Sequence, residues 1–166
     1  MEVILGVVIS REFSWGYSEN FPRLRFHREA IHTFEQLLKD GLLEFKTDLV
    51  EELSMTLICL SPTFSAFFKP HRPKYYEDRT LKCPGSVTPE VRMYKSLTAD
   101  FVVDFEGYYN LSTKEECLQF LALSFLDFLK NLKYPGKLKK FEKEKLFQAV
   151  RDIFVKNSIL SVDDGI

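Results

Sequence analysis

Three acidic side chains, Asp100, Asp104 and Glu106, recur at even spacing in the stretch Ala99-Asp100-Phe101-Val102-Val103-Asp104-Phe105-Glu106. On an extended chain successive side chains alternate between faces, so these three share one side of a strand. Two or three carboxylates so placed could hold Mg²⁺ for hydrolysis, as metal-dependent nucleases do. Such a site usually has a lysine close by on the same strand; here Gly107 and Tyr108 follow. The same acids serve equally as a solvated strand face or as an acidic patch for a basic partner.

The other chemical candidates are thinner. His27 and His32 are five residues apart, off the i, i+4 spacing of a helical metal pair, and His71 stands alone in a proline-rich stretch. No metal site and no cofactor are expected. Cys59, Cys83 and Cys117 are odd in number and include no C-x-x-C pair, which points to free thiols and a reducing compartment rather than a disulfide framework. Only Cys83, in Lys82-Cys83-Pro84-Gly85, lies beside a cation, as a reactive thiol needs. Gly16-Tyr17-Ser18-Glu19-Asn20 lacks the second glycine of a nucleophile elbow, and neither phosphate-cradling glycine motif occurs.

Charge is unevenly distributed. Lys133 to Lys156 holds eight Lys or Arg against Glu142, Glu144 and Asp152, while the whole chain has a net charge of −1. The lysines Lys137, Lys139, Lys140, Lys143, Lys145 and Lys156 flank an apolar stripe and interleave with glutamates, so they read as a solvated helix face. A nucleic-acid partner is not expected. Two tyrosine groups look interface-like, Tyr75-Tyr76-Glu77-Asp78 and Tyr108-Tyr109, because tyrosine buries much area at small rotamer cost and keeps a polar tip. Equally, each pair could pack beneath its own loop.

These residues need elements to place them. Ala99 to Glu106 alternates as a half-buried strand, and Ser112-Thr113-Lys114-Glu115 spells a capping box in which Ser112 and Glu115 bond backbone N–H groups. The helix that follows, with Leu118, Leu121, Phe125, Leu129 and other apolar residues, is apolar on several sides and should be buried. Val3 to Ile9 reads as a central strand, Arg28 to Lys39 as an amphipathic helix with Gly41 as its C-cap, and Ser54 to Leu60 as a strand. Phe64 to Lys69 would be the hairpin partner of that strand. Residues 70–90 carry four of the seven prolines and read as a long loop. A last helix follows the Tyr134-Pro135-Gly136 break, and residues 158–166 read as a frayed tail.

The pattern predicts one domain spanning residues 1–166, of α+β class: a largely antiparallel sheet with about three helices packed on it. The 16 phenylalanines and 7 tyrosines imply a large core. The acid at Glu2 and the short apolar run after it do not suit a secretion signal, and Asp127 and Lys130 interrupt the longest apolar stretch. No membrane partner is expected, and the chain reads as a cytoplasmic protein.

Size, layout, the strand Phe101-Val102-Val103-Asp104-Phe105, the helix start at Ser112 to Glu116 and the lack of active-site motifs give a chain that resembles the immunity proteins of bacterial polymorphic toxin systems, including contact-dependent growth inhibition. The resemblance implies a non-catalytic protein that binds and neutralises a cognate toxin C-terminal domain, often a nuclease. Asp100, Asp104, Glu106, Tyr75, Tyr76, Glu77, Asp78, Tyr108 and Tyr109 are the candidate partner-binding residues. The alternatives are a small metal-dependent nuclease or hydrolase using the strand carboxylates, and a non-catalytic adaptor docking through residues 70–90.

Overall fold

A computed structural model of the protein describes residues 1–9, 24–60, 72–76, 80–82, 90–92 and 95–163. Three long strands carry the fold: β1 (Glu2–Ile9), β2 (Glu52–Leu60) and, further on, β6 (Ser96–Asp104). β1 pairs with β2 and β2 with β6, both in parallel. The helix α1 (Leu24–Leu42) lies between β1 and β2 in the chain and provides the crossover that a parallel pair requires. Within this sheet, among the described residues, the short strand β3 (Lys74–Tyr76) alone runs antiparallel, along the other side of β6, so the order is β1-β2-β6-β3.

The protein is α+β as expected, but the sheet is mixed rather than largely antiparallel. One-sided alternation ordinarily marks antiparallel sheets, because parallel sheets tend to be covered on both faces. Here parallel strands alternate all the same. β1 lies at one end of the sheet rather than in its centre. β2 has a parallel neighbour on each side, which leaves no edge for a hairpin partner; Phe64 to Lys69 fall outside the described residues. The stretch expected as a structureless loop contains β3 and also β4 (Thr80–Lys82), which forms a separate antiparallel ladder with β5 (Glu90–Arg92).

Odd-numbered strand residues build the core. Val3, Leu5, Leu53, Met55, Leu57, Cys59, Leu97, Phe101 and Val103 are buried in one cluster with residues of α1, α3 (Lys114–Asn131) and α4 (Lys143–Lys156). Phe34 of α1 is its hub, with its ring centroid 6.3 Å from Phe101, 5.5 Å from Phe125 and 5.8 Å from Phe154. Removing a ring so enclosed costs about 3–5 kcal/mol. Among the residues whose side chains are described, no even-numbered residue of the three parallel strands belongs to this cluster.

Several ends differ from expectation for local reasons. α1 runs through Gly41 to Leu42, so Gly41 is not a cap. A Cβ at Gly41 would stand 2.4 Å from Ile153 Cγ1, so the glycine lets α1 and α4 approach closely. The capping box is one residue later than the spacing suggests. Thr113 Oγ1 accepts from Glu116 N at 3.1 Å, and Glu116 Oε2 accepts from Thr113 N at 3.2 Å. Ser112 instead donates its backbone N–H to the same Glu116 carboxylate. The start of the expected frayed tail is anchored as far as Leu160. Ser158 takes a left-handed φ of 57°, its N–H reaches Val155 O and that of Ile159 reaches Phe154 O, and Leu160 is buried. This is the Schellman stop of a helix, with serine where glycine is usual.

Candidate partner-binding surface

β6 ends two residues sooner than its alternation suggests, because Asp104 becomes a helix cap. Its Oδ2 accepts the N–H of Gly107 at 2.9 Å and starts the short helix α2 (Phe105–Tyr109). Gly107 suits the spot, since a Cβ there would sit 2.7 Å from that carboxylate oxygen. The three acids therefore do not line one strand face. Asp100 and Asp104 share the even-numbered face of β6, while Glu106 stands exposed on the first turn of α2. Among the described residues no group of three or more metal-ligating side chains converges.

The tyrosine pair that follows is part of the interior. Tyr108 is fully buried and donates its hydroxyl to the His27 backbone carbonyl at 2.7 Å. His27 Nε2 returns a hydrogen bond to the Tyr108 carbonyl at 3.1 Å, so Nε2 carries a proton, since a carbonyl only accepts. This reciprocal pair ties the start of α1 to α2 across 81 residues of sequence. Tyr108 thus offers a partner no surface, and its place in the interface expectation is corrected by burial. Tyr109 is partly buried, its ring stacked between His27 at 4.6 Å and Phe105 at 4.2 Å. Its hydroxyl is buried and has no hydrogen-bond partner among the described residues. Burial pushes both phenols well above their ordinary range.

The second tyrosine group divides at the sheet's far edge. Tyr75 pairs with Leu97, is partly buried against the core and donates its hydroxyl to Leu49 O at 2.6 Å, which makes it a strut between β3 and the turn before β2. Tyr76 pairs with Ser96 in the ladder. Glu77 and Asp78 lie outside the described residues.

The register assembles a surface that no single stretch displays. On the even-numbered face Glu2, Glu52 and Ser96 stand in one row across β1, β2 and β6. The next row is Ile4, Ser54 and Thr98, and then come Gly6, Thr56 and Asp100. Ser96 Oγ donates to Glu52 Oε1 at 2.8 Å and holds that carboxylate against the sheet. Glu2 and Glu52 flank two apolar runs nearly fifty residues apart, and only the parallel pairing brings them together. The signal in the sequence was an acid at the head of each strand; the missing information was the register.

Residues 8–156 match the model of the family described as Immunity protein 44. The chain belongs to that family. No curated protein and no solved structure matches it.

In this Immunity protein 44 member the described thiols are core residues. Cys59 and Cys117 are both free and buried, and burial pushes the first up to about 12 and the second, with help from Glu116 and Glu115, up to about 11. A thiol held protonated is a poor nucleophile. The basic segment is a ridge on the helical side, where Lys145 pairs with Glu142 and Lys143 lies 3.8 Å from Glu144. Among the described residues no helix is long and apolar enough to cross a membrane.

Proposed function

We propose that this immunity protein neutralises a cognate toxin C-terminal domain by binding it, with no substrate turned over on the immunity side. The observation that carries the reading is the family match over residues 8–156. The acids Asp100, Asp104 and Glu106 are its contacts in this reading, with Tyr109 behind Glu106, and Tyr75, Tyr76, Glu77 and Asp78 join the set by residue type alone. A surface of that charge suits a toxin with a basic cleft, as a nuclease has, and charge complementarity speeds encounter and selects the right partner. The toxin belongs to a polymorphic system of the contact-dependent kind, and the meeting takes place in the cytoplasm.

The test is growth rescue. The C-terminal domain encoded just upstream of this chain is induced in a sensitive host with and without it. The expected result is arrest without the chain, recovery with it, and co-purification of the two. Arrest in both cases, or no arrest in either, refutes the reading.

A further inference from the structure

The even-numbered face of the sheet offers more than the three acids of β6 and α2. We propose that its half nearest the strand N-termini is the seat of the toxin, and that this seat takes a basic protein surface with an apolar point opposite Ile4. The inference rests on the neutralisation reading and extends its contacts from β6 to β1 and β2.

The three rows already described span about 10 Å across the strands and about 13 Å along them, from the ordinary spacings of a sheet. Within that area stand the carboxylates Glu2, Glu52 and Asp100; the paired position of β3 adds a cation, Lys74 opposite Thr98. Their setting is a floor of short side chains, Gly6, Ser54, Thr56 and Thr98. Ile4, on the end strand β1 two residues from Glu2, is 44% exposed. Ile58, on the same face toward the strand C-termini, is only 6% exposed, so the accessible part is the N-terminal half. An exposed apolar residue beside a carboxylate pair gives a partner one apolar and one charged contact.

Charge selects the occupant. A second copy laid face to face would oppose these carboxylates to themselves, and a nucleic acid would meet them with phosphates. A lysine- or arginine-rich protein surface reaches the adjoining carboxylates Glu2 and Glu52, of which Glu52 is already positioned by Ser96.

The experiment uses the full chain and, as probe, the toxin domain encoded upstream, made separately by cell-free synthesis. Glu2→Lys combined with Glu52→Lys is expected to weaken binding about 100-fold, mostly through slower association, and to flatten its salt dependence. Ile4→Asp is expected to weaken it about 10-fold or more through faster dissociation. A control pair on the helical side, Glu115→Lys with Glu144→Lys, leaves affinity within about twofold. Carbodiimide labelling of the wild-type complex gives a readout independent of variant folding, with Glu2 and Glu52 protected by the toxin. If wild type binds while the sheet-face variants bind equally well and both acids label freely, the seat is overturned and neutralisation stands. If wild type neither binds nor protects, the neutralisation reading falls and takes the seat with it.

Discussion

Two adjacent tyrosines should respond to the same substitution with opposite sign. Tyr108 donates its hydroxyl to His27 O at 2.7 Å inside the core, whereas the buried hydroxyl of Tyr109 has no partner among the described residues. Tyr108→Phe removes a buried hydrogen bond and should destabilise by about 1 kcal/mol, since the helical carbonyl it leaves behind keeps a second lone pair for the α1 ladder. Tyr109→Phe removes a group whose uncompensated desolvation costs about 1–3 kcal/mol. Against that gain stands the loss of a few dispersion contacts around a void the size of one oxygen. A net stabilisation of about 1 kcal/mol remains, which for a chain of this length is a rise of about 2–4 °C in Tm. The ring stacking on His27 and Phe105 is kept in both directions of the comparison. Urea unfolding at pH 7, followed by far-UV circular dichroism with m-values checked for constancy, measures both variants on one scale. A Tyr109→Phe protein as destabilised as Tyr108→Phe would refute the reasoning, because it would mean that the Tyr109 hydroxyl is bonded.

Three further outcomes follow from packing and burial. Gly41→Ala drives a methyl to within 2.5 Å of Ile153 Cδ1 and should cost about 1–3 kcal/mol; Ile153→Val in the same chain should recover part of it in a double-mutant cycle of unfolding free energies. Ser158→Gly relieves a left-handed serine and should raise stability by up to about 1 kcal/mol, read as a higher urea midpoint. The raised Cys59, Cys117, Tyr108 and Tyr109 groups all lose protons more readily in the unfolded chain. Their contribution to stability is therefore full below about pH 8 and falls as pH climbs through about 9 to 11, as a series of thermal melts should show; native protein at pH 8 should leave Cys59 and Cys117 unmodified by iodoacetamide.

Elements with a strong period were legible in the sequence. β2, β6 and α3 all lie where apolar spacing puts them, because their buried faces dictate the pattern. Strand direction was not legible: alternation reports which side of a strand is buried and nothing about its neighbour. Glu106 was assigned to a strand because it continues the even spacing, and the competing local bond from Asp104 to Gly107 N overrode that period. Tyr108 reads as an interface residue by type alone, and what buries it is His27, 81 residues away. The adjacency of Glu2 and Glu52 is silent in the sequence for the same reason, since it exists only in the register of β1 against β2.

That register also governs the order in which the molecule can be made. Glu2 pairs with Glu52 and Glu52 with Ser96, so each step across the sheet spans more than forty residues of chain. Sheets assembled from such distant partners fold slowly, because the loops must close before the contacts repay them. On a ribosome β1 emerges first and must wait, unpaired, until β2 has emerged, and the central strand stays open on one side until residue 104 is out. Under the neutralisation proposed above, only chains complete through residue 104 protect, and the interval between translation and closure sets how much of this protein must already be in stock when the toxin arrives.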